Sequence, residues 1–400
     1  MAKQLVKNYK WVNLLLFSIS AALSQALWLN FGPLISEIEA KYGVTENTAG
    51  LLLMVFPLIY VLISIPAGNF IDIKGFKSGL VLGTFIMTIG AILRIFDFSF
   101  PCLLAGQVII ALSQPFIINS ISKLVLDWFE KDQEAIATGL GTMGMFIGMS
   151  VGLMITPLMV QKAGFRDTMI FFALLSTVSF VSSYYFLRPS KSLTPLREGD
   201  GGSFGFSGIK DLIKDVNLDV ILILAFLGLG FFNGLTTWLE PILAPHGISS
   251  IQAGMIGGFL IIGGILGAVI MPALSDLFKL RKPFVFFGLL SAALTLFPLC
   301  TSGSYKALVL LSFFQGFFFL PAFSLILQMC SEQVGEKRAA TATGLLMLLG
   351  NAGGVIVIIL MEAVKSETKG FLPSVYLEFG VLLMSLVLSL ALKETHPARQ

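Results

Sequence analysis

The stretch GNFIDIKGFKSG, residues 68–79, interrupts an otherwise greasy part of the chain. It carries three glycines (Gly68, Gly75, Gly79), one acid (Asp72) and two bases (Lys74, Lys77). Long apolar runs flank it, and about 20 mostly apolar residues are what a helix needs to cross roughly 30 Å of hydrocarbon. A short polar gap with glycines, set between two such runs, reads as a turn at a membrane surface. The rest of the chain follows from that reading.

Of the 400 residues, 56% are hydrophobic and 12% charged, against about 25% charged in a soluble domain. The 36 Phe and 40 Gly suit helices that face lipid and pack closely. A net charge of +3 without a basic run gives no reason to expect a nucleic-acid partner. Cys102, Cys300 and Cys330 are scattered through apolar sequence, and His246 and His396 fall outside the apolar runs. Neither a metal site nor a cofactor is expected. The opening MAKQLVKNYK is basic, but the run after it is too long for a signal peptide and reads as a first span.

Twelve segments qualify as spans: 11–36, 47–70, 78–97, 100–124, 135–160, 167–188, 217–241, 249–275, 283–301, 305–330, 338–362 and 372–393. The fold class is an all-α membrane protein with twelve transmembrane helices. Segment 189–216, rich in Gly, Ser, Pro and charge, reads as a cytoplasmic linker between a first half (1–188) and a second half (217–400). With twelve spans, 19 of the 26 Lys and Arg residues fall on the side that holds both termini and the linker. Positive charge favours the cytoplasm, so both termini are expected on the cytoplasmic side of a cell membrane.

The two halves repeat. Ala137-Thr138-Gly139-Leu140 recurs as Ala342-Thr343-Gly344-Leu345 at an offset of 205, and Asp72 recurs as Asp276 at 204. Each pair sits at the same place in a six-span unit. Two parallel six-helix pseudo-repeats resemble the build of the major facilitator superfamily. GNFIDIKGFK is similar to that superfamily's signature in the loop after the second span, with Gly68, Asp72, Gly75 and Lys77 matching and Ile73 standing where a base is usual. The resemblance implies a gating role for these four and for Asp276. Gly68 is expected to let helix ends approach, Gly75 to allow the reversal, and Asp72 to engage a charge or helix end near span 5 or 11. The second copy, PALSDLFKLRK, has Pro272 in place of the first glycine.

A narrower resemblance rests on ALWLNFGPLISEIEAKYGV (26–44) and AGQVIIALSQPFIINSISKLVLDWFEKDQEAIATG (105–139). Both are similar to the feline leukaemia virus subgroup C receptor-related (FLVCR-like) transporters. That family is associated with choline and related amines, and some members with haem. Trp28 matches the family's substrate-facing tryptophan. The family's cavity glutamines of spans 5 and 11 are replaced here by Phe146 and Asn351.

In hydrocarbon a polar side chain turns inward to a partner or to water. Ser18, Gln25, Trp28 and Gly32 share a face of span 1, and Asn233, Thr236, Thr237 and Glu240 share one of span 7. Gln107 and Gln114 lie seven apart on span 4, and Gln315 and Gln328 lie on span 10. Stripes on spans 1, 4, 7 and 10 are what a central solute cavity needs. The expected substrate contacts are Gln25, Trp28, Gln107, Gln114, Asn233, Thr237, Glu240 and Asn351. Glu240 is either a site for a cation or coupling proton or a rim residue. Lys123 and Asp127, four apart, are expected to pair at the rim.

The reading is a monomeric secondary active or facilitative transporter that moves a small organic solute by alternating access. The alternative is a multidrug or metabolite exporter of the same superfamily. An enzyme or a non-transporting receptor fits less well, because no span holds a histidine or a nucleophile–base pair.

Overall fold

The computed structural model describes residues 2–189 and 215–395; the linker expected at 189–216 lies mostly outside them. Among the described residues twelve helices are long and apolar enough to cross a membrane. They are α1 (Tyr9–Tyr42), α2 (Glu46–Lys74), α3 (Phe76–Leu93), α4 (Phe100–Trp128), α5 (Ile136–Ala163) and α6 (Phe165–Phe186) in one unit. The second unit holds α7 (Val216–His246), α8 (Ser250–Phe278), α9 (Lys282–Thr301), α10 (Tyr305–Val334), α11 (Thr341–Ala363) and α12 (Leu372–Ala391). The chain divides into Met1–Glu198 and Gly199–Gln400.

Helix ends differ from the apolar runs where an amphipathic turn continues a span. The first span was expected to end at residue 36, but after a 3₁₀ turn at Gly32–Leu34 the helix resumes over Ile35–Tyr42. Ile35 and Ile38 stay buried there while Glu37 is exposed and Glu39 partly so. Likewise α4 is interrupted for one residue at Asn119 and runs on to Trp128.

Within each unit, small residues set the packing. A Cβ at Gly148 of α5 would lie 1.9 Å from the carbonyl oxygen of Ala22 on α1, and one at Gly152 would lie 2.5 Å from that of Ala26. In the second unit a Cβ at Gly353 of α11 would lie 2.0 Å from the Phe226 oxygen on α7. Gly148 and Gly353 are 205 residues apart, Ala22 and Phe226 204, so the repeat extends to the contacts. Capping repeats as well. The Thr45 hydroxyl accepts from the Thr48 N–H at the start of α2, and Ser249 and Gln252 form a capping box at the start of α8. Each cap satisfies an otherwise orphaned helix N–H.

A third repeated element was not expected. Asn13 on α1 accepts from the Arg188 N–H at 3.2 Å and donates to its carbonyl at 3.3 Å, tying down the chain as it leaves α6. Its counterpart 204 residues on, Asn217 of α7, accepts from the Lys393 N–H at 2.8 Å beyond α12. Each half is thus closed by an asparagine in its first helix.

The α1–α5 approach leads to a direct test. Gly148→Ala forces apart two backbones and should cost about 1–3 kcal/mol, seen as a lower thermal unfolding temperature in detergent. Gly139→Ala on the same helix, where a Cβ meets nothing within 4 Å, should leave that temperature unchanged or raised. Equal behaviour of the two variants would mean that the glycine contact does not hold α1 on α5.

Candidate functional site

The GNFIDIKGFKSG turn closes α2 and starts α3 without an intervening loop. Gly75 has φ +85° and ψ 160°, a conformation that a Cβ makes costly. Its N–H donates to the Ile71 carbonyl at 2.8 Å. Gly79 serves a different purpose, since a Cβ there would lie 2.5 Å from the Ile71 side chain and 2.8 Å from the Ser120 hydroxyl. At Gly68 a Cβ meets nothing within 4 Å. Asp72 lies in the last turn of α2, exposed, with Lys123 of α4 as the cation whose charge reaches it. Lys123 pairs with Asp127 at 3.4 Å, the pairing their spacing predicts. Lys77 sits partly exposed on the first turn of α3.

In the second unit the corresponding reversal is made by Lys279, at φ 57°. Asp276 pairs with Arg281 at 2.6 Å. The same guanidinium donates to Glu332 at 3.0 Å and to the Ser275 hydroxyl at 3.0 Å. The Glu394 carboxylate accepts from the Arg281 and Lys282 N–H groups at 2.9 and 3.2 Å, while Thr395 donates to Glu332 at 2.8 Å. Burial works against the Arg281 charge, but the hydrogen bonds to Glu332 and Asp276 outweigh it and hold the group above its ordinary pKa. This network binds the α8–α9 turn, the end of α10 and the C-terminal segment together.

At the start of α7, Asp215 caps the helix by accepting from the Asn217 and Leu218 N–H groups, and Gln333 donates to it at 2.6 Å. Desolvation pushes the Asp215 pKa up, but these bonds and Lys393 bring it below the usual carboxylate value.

Among the expected contact residues, those of α1 stand close together. Trp28 is 9% exposed, donates from Nε1 to the Leu53 carbonyl at 3.2 Å, and stacks on Phe56 at 6.0 Å between ring centroids and 26° between planes. One turn back, Gln25 is buried and its Oε1 has no partner among the described residues. Such an orphaned oxygen costs about 1–3 kcal/mol unless something donates to it. Gln107 is different. It is wholly buried, donates to the Leu27 and Leu52 carbonyls at 3.1 Å each, and accepts from Arg94 at 3.0 Å. Its amide joins α1, α2 and α4 to the residue that closes α3. Arg94 in turn lies over the Phe31 ring at 4.2 Å and donates to the Met169 sulfur of α6 at 3.2 Å. Gln114 is also buried.

In the second unit Asn233, Thr237 and Glu240 are all buried on α7. Asn233 Oδ1 has no partner, and Glu240 is 3% exposed and engaged in an interaction of its own. Asn351 of α11 is partly buried and donates to the Met347 carbonyl at 2.9 Å. Gln315 accepts from Thr295 at 3.1 Å. The FFQGFFF run of α10 packs against α8, for Cβ atoms at Gly263 and Gly267 would lie 2.0 Å from the Phe313 and Phe317 carbonyl oxygens. A groove of about 470 Å³ lined by Met271, Phe284, Phe287, Leu290, Leu294 and Phe318 opens on the apolar face of α8, α9 and α10. It offers little polar surface to orient a solute.

Glu362 near the end of α11 and Glu378 within α12 are among the acids of the second unit that the sequence alone did not single out. A lone acid seven residues into a 20-residue apolar helix was the signal that could have found Glu378.

Each unit is thus six membrane-crossing helices with buried polar stripes, and among the described residues no group of side chains could hold a metal ion. A family model described as Major Facilitator Superfamily matches residues 17–358 and 241–400, and the chain belongs to that family. It is a multi-pass membrane transporter of a small solute, not an enzyme. "Solute carrier family 49 member A3" of Xenopus tropicalis is 26% identical over 89% of this chain and 78% of its own. "Choline/ethanolamine transporter FLVCR1" of Felis catus is 23% identical over 95% and 73%. Among solved structures, a bacterial homologue of the human lysosomal transporter Spinster, inward-facing and unoccupied, matches with a TM-score of 0.72. That match has 16% identity and covers 96% of this chain and 95% of the other.

Proposed function

We propose that the chain carries a small organic amine, of the choline and ethanolamine kind, across a cell membrane by alternating access. The observation that carries the reading is the pair on α1: a buried indole beside an unpartnered amide oxygen. An indole face attracts a quaternary or protonated amine by about 2 kcal/mol or more when water is excluded. Gln25 Oε1 offers an acceptor to a hydroxyl or ammonium on the same molecule. The relatives named as choline/ethanolamine transporters support the same substrate class. In the second half Asn233, Thr237 and Glu240 are the proposed contacts, with Asn351 beside them in role. Gln107 contributes by holding α1 in place, and Gln114 is its companion on α4.

Radiolabelled choline and ethanolamine, bound to the purified chain, test this. Trp28→Ala should weaken binding at least tenfold, and Trp28→Phe should keep part of it. Wild-type affinity in Trp28→Ala would remove the tryptophan from the site.

For the gate, Asp72 is the proposed switch, with Gly68, Gly75, Lys77 and Asp276 around the two turns. Asp72→Asn should slow choline uptake while leaving binding nearly intact, because a charge used in only one conformation shifts the equilibrium between states. An unchanged uptake rate across the substrate range would make Asp72 an ordinary turn residue.

Orientation follows from the basic residues. On a background without Cys102, Cys300 and Cys330, single cysteines at Thr194 and His246 should label from opposite sides of the membrane, Thr194 from the cytoplasm. Same-side labelling would overturn the proposed topology.

A further inference from the structure

Glu378 lies about 9 Å into α12 at 1.5 Å per residue and is 1% exposed. Neither carboxyl oxygen has a hydrogen-bond partner among the described residues. The helix packs on α7, α9 and α11, and each contributes something different around the acid. From α7 comes Gly234, where a Cβ would stand 2.2 Å from Glu378 Oε1, 2.7 Å from the Met361 sulfur and 3.0 Å from Val357. The last two belong to α11. From α9 comes Cys300, buried, the titratable group whose charge interaction includes Glu378. Glu240 is six residues beyond Gly234 on α7, about 240° around the helix, and carries an interaction of its own. Glu362 and Lys365 follow Met361 and are likewise engaged, with Lys365 also lying 4.6 Å from the centre of the Phe371 ring. No cation among the described residues pairs with Glu378.

An ionised carboxylate with no cation and no donor, set against glycine, methionine and valine inside a membrane span, would carry a prohibitive desolvation cost. A neutral carboxylic acid would not. The space it fills exists because residue 234 has no side chain, so its seat depends on a glycine on the face of α7 that meets α12. We propose that Glu378 is a proton-binding site of the second half, loaded while α7 rests on α12 at Gly234 and unloaded when the two helices part. On parting, the O–H bond breaks, the proton passes to an entering water, and the electron pair stays on the carboxylate. The inference deepens the transport reading by making the coupling ion a proton; it rests on that reading for a change of state, and the parting of α7 from α12 in that change is part of the proposal.

Infrared spectroscopy of the full chain in lipid, without substrate, reads the site itself. At pH 7 the wild type should show the carbonyl band of a protonated carboxylic acid that is lost in Glu378→Gln, an isosteric change that keeps the packing. Gly234→Ala, which displaces the carboxyl, should lower the pH at which this band titrates by about one unit or more, toward the usual glutamate value of about 4.3. A wild-type band at Glu378 that titrates near that value, or no difference between wild type and Glu378→Gln, overturns the proposal. In proteoliposomes an imposed pH gradient should drive choline uptake by the wild type and not by Glu378→Gln. Wild-type uptake indifferent to the gradient overturns the coupling. Absence of choline uptake altogether refutes the amine reading instead, and the infrared result still decides Glu378.

Discussion

The close approach of helix backbones at glycine is the constraint on which each half is built. Lipid tails are as apolar as leucine, so burial of apolar surface does little to press one membrane helix onto another. What remains is van der Waals contact and hydrogen bonding, and both fall off within an ångström or two. Gly148 against Ala22 and Gly353 against Phe226 bring α5 onto α1 and α11 onto α7 closer than any Cβ would permit. That contact fixes the rotation of α1 and α7 about their own axes. The rotation in turn decides where Gln25, Trp28, Asn233 and Thr237 stand.

Polar side chains then divide by whether the fold uses them up. Gln107 illustrates one extreme, with its three polar contacts all made to protein and no exposed surface. It works as a bolt across α1, α2 and α4, and Arg94 is held by it and by the Phe31 ring. Gln25 and Asn233 illustrate the other extreme, each left with a buried oxygen that nothing in the protein satisfies. Buried unsatisfied groups are rare because they are costly. Both stand on the helices that open the two halves, but not at equivalent positions, since the 204-residue offset sets Asn233 against Leu29.

Much of this was legible in the sequence. Length and hydropathy disclosed twelve spans, and the offset near 205 disclosed the repeat through Ala-Thr-Gly-Leu and the paired aspartates. The same offset also carried Thr45 and Ser249 as caps and Asn13 and Asn217 as clasps, which the sequence reading passed over. A clasp joins residues 175 apart through one amide, and no periodicity marks it. Glu378 was hidden for the opposite reason, because it is a single acid inside a run that hydropathy averages as apolar. The glycines of GNFIDIKGFKSG also needed coordinates to be told apart. Gly75 is required by its φ and Gly79 by its neighbours, whereas Gly68 meets neither demand within its own half.

The two halves share a plan but end in different chemistry. In the first, the reversal between α2 and α3 falls on a glycine, and Asp72 stands exposed with Lys123 already paired to Asp127. In the second, Lys279 takes the same reversal at positive φ, a conformation that costs a non-glycine residue about 1 kcal/mol or more. The strain is tolerated where Arg281 binds Asp276, Glu332 and Ser275 and where Glu394 caps the start of α9. A turn held by that many charge-assisted bonds is over-determined, whereas the turn at Gly75 has only neutral bonds (Gly75 N–H to Ile71, Gly79 N–H to Gly75 and the Ser78 hydroxyl to Lys74) and a lightly committed aspartate. If one of the two turns rearranges as the transporter changes state, the energetics single out the first.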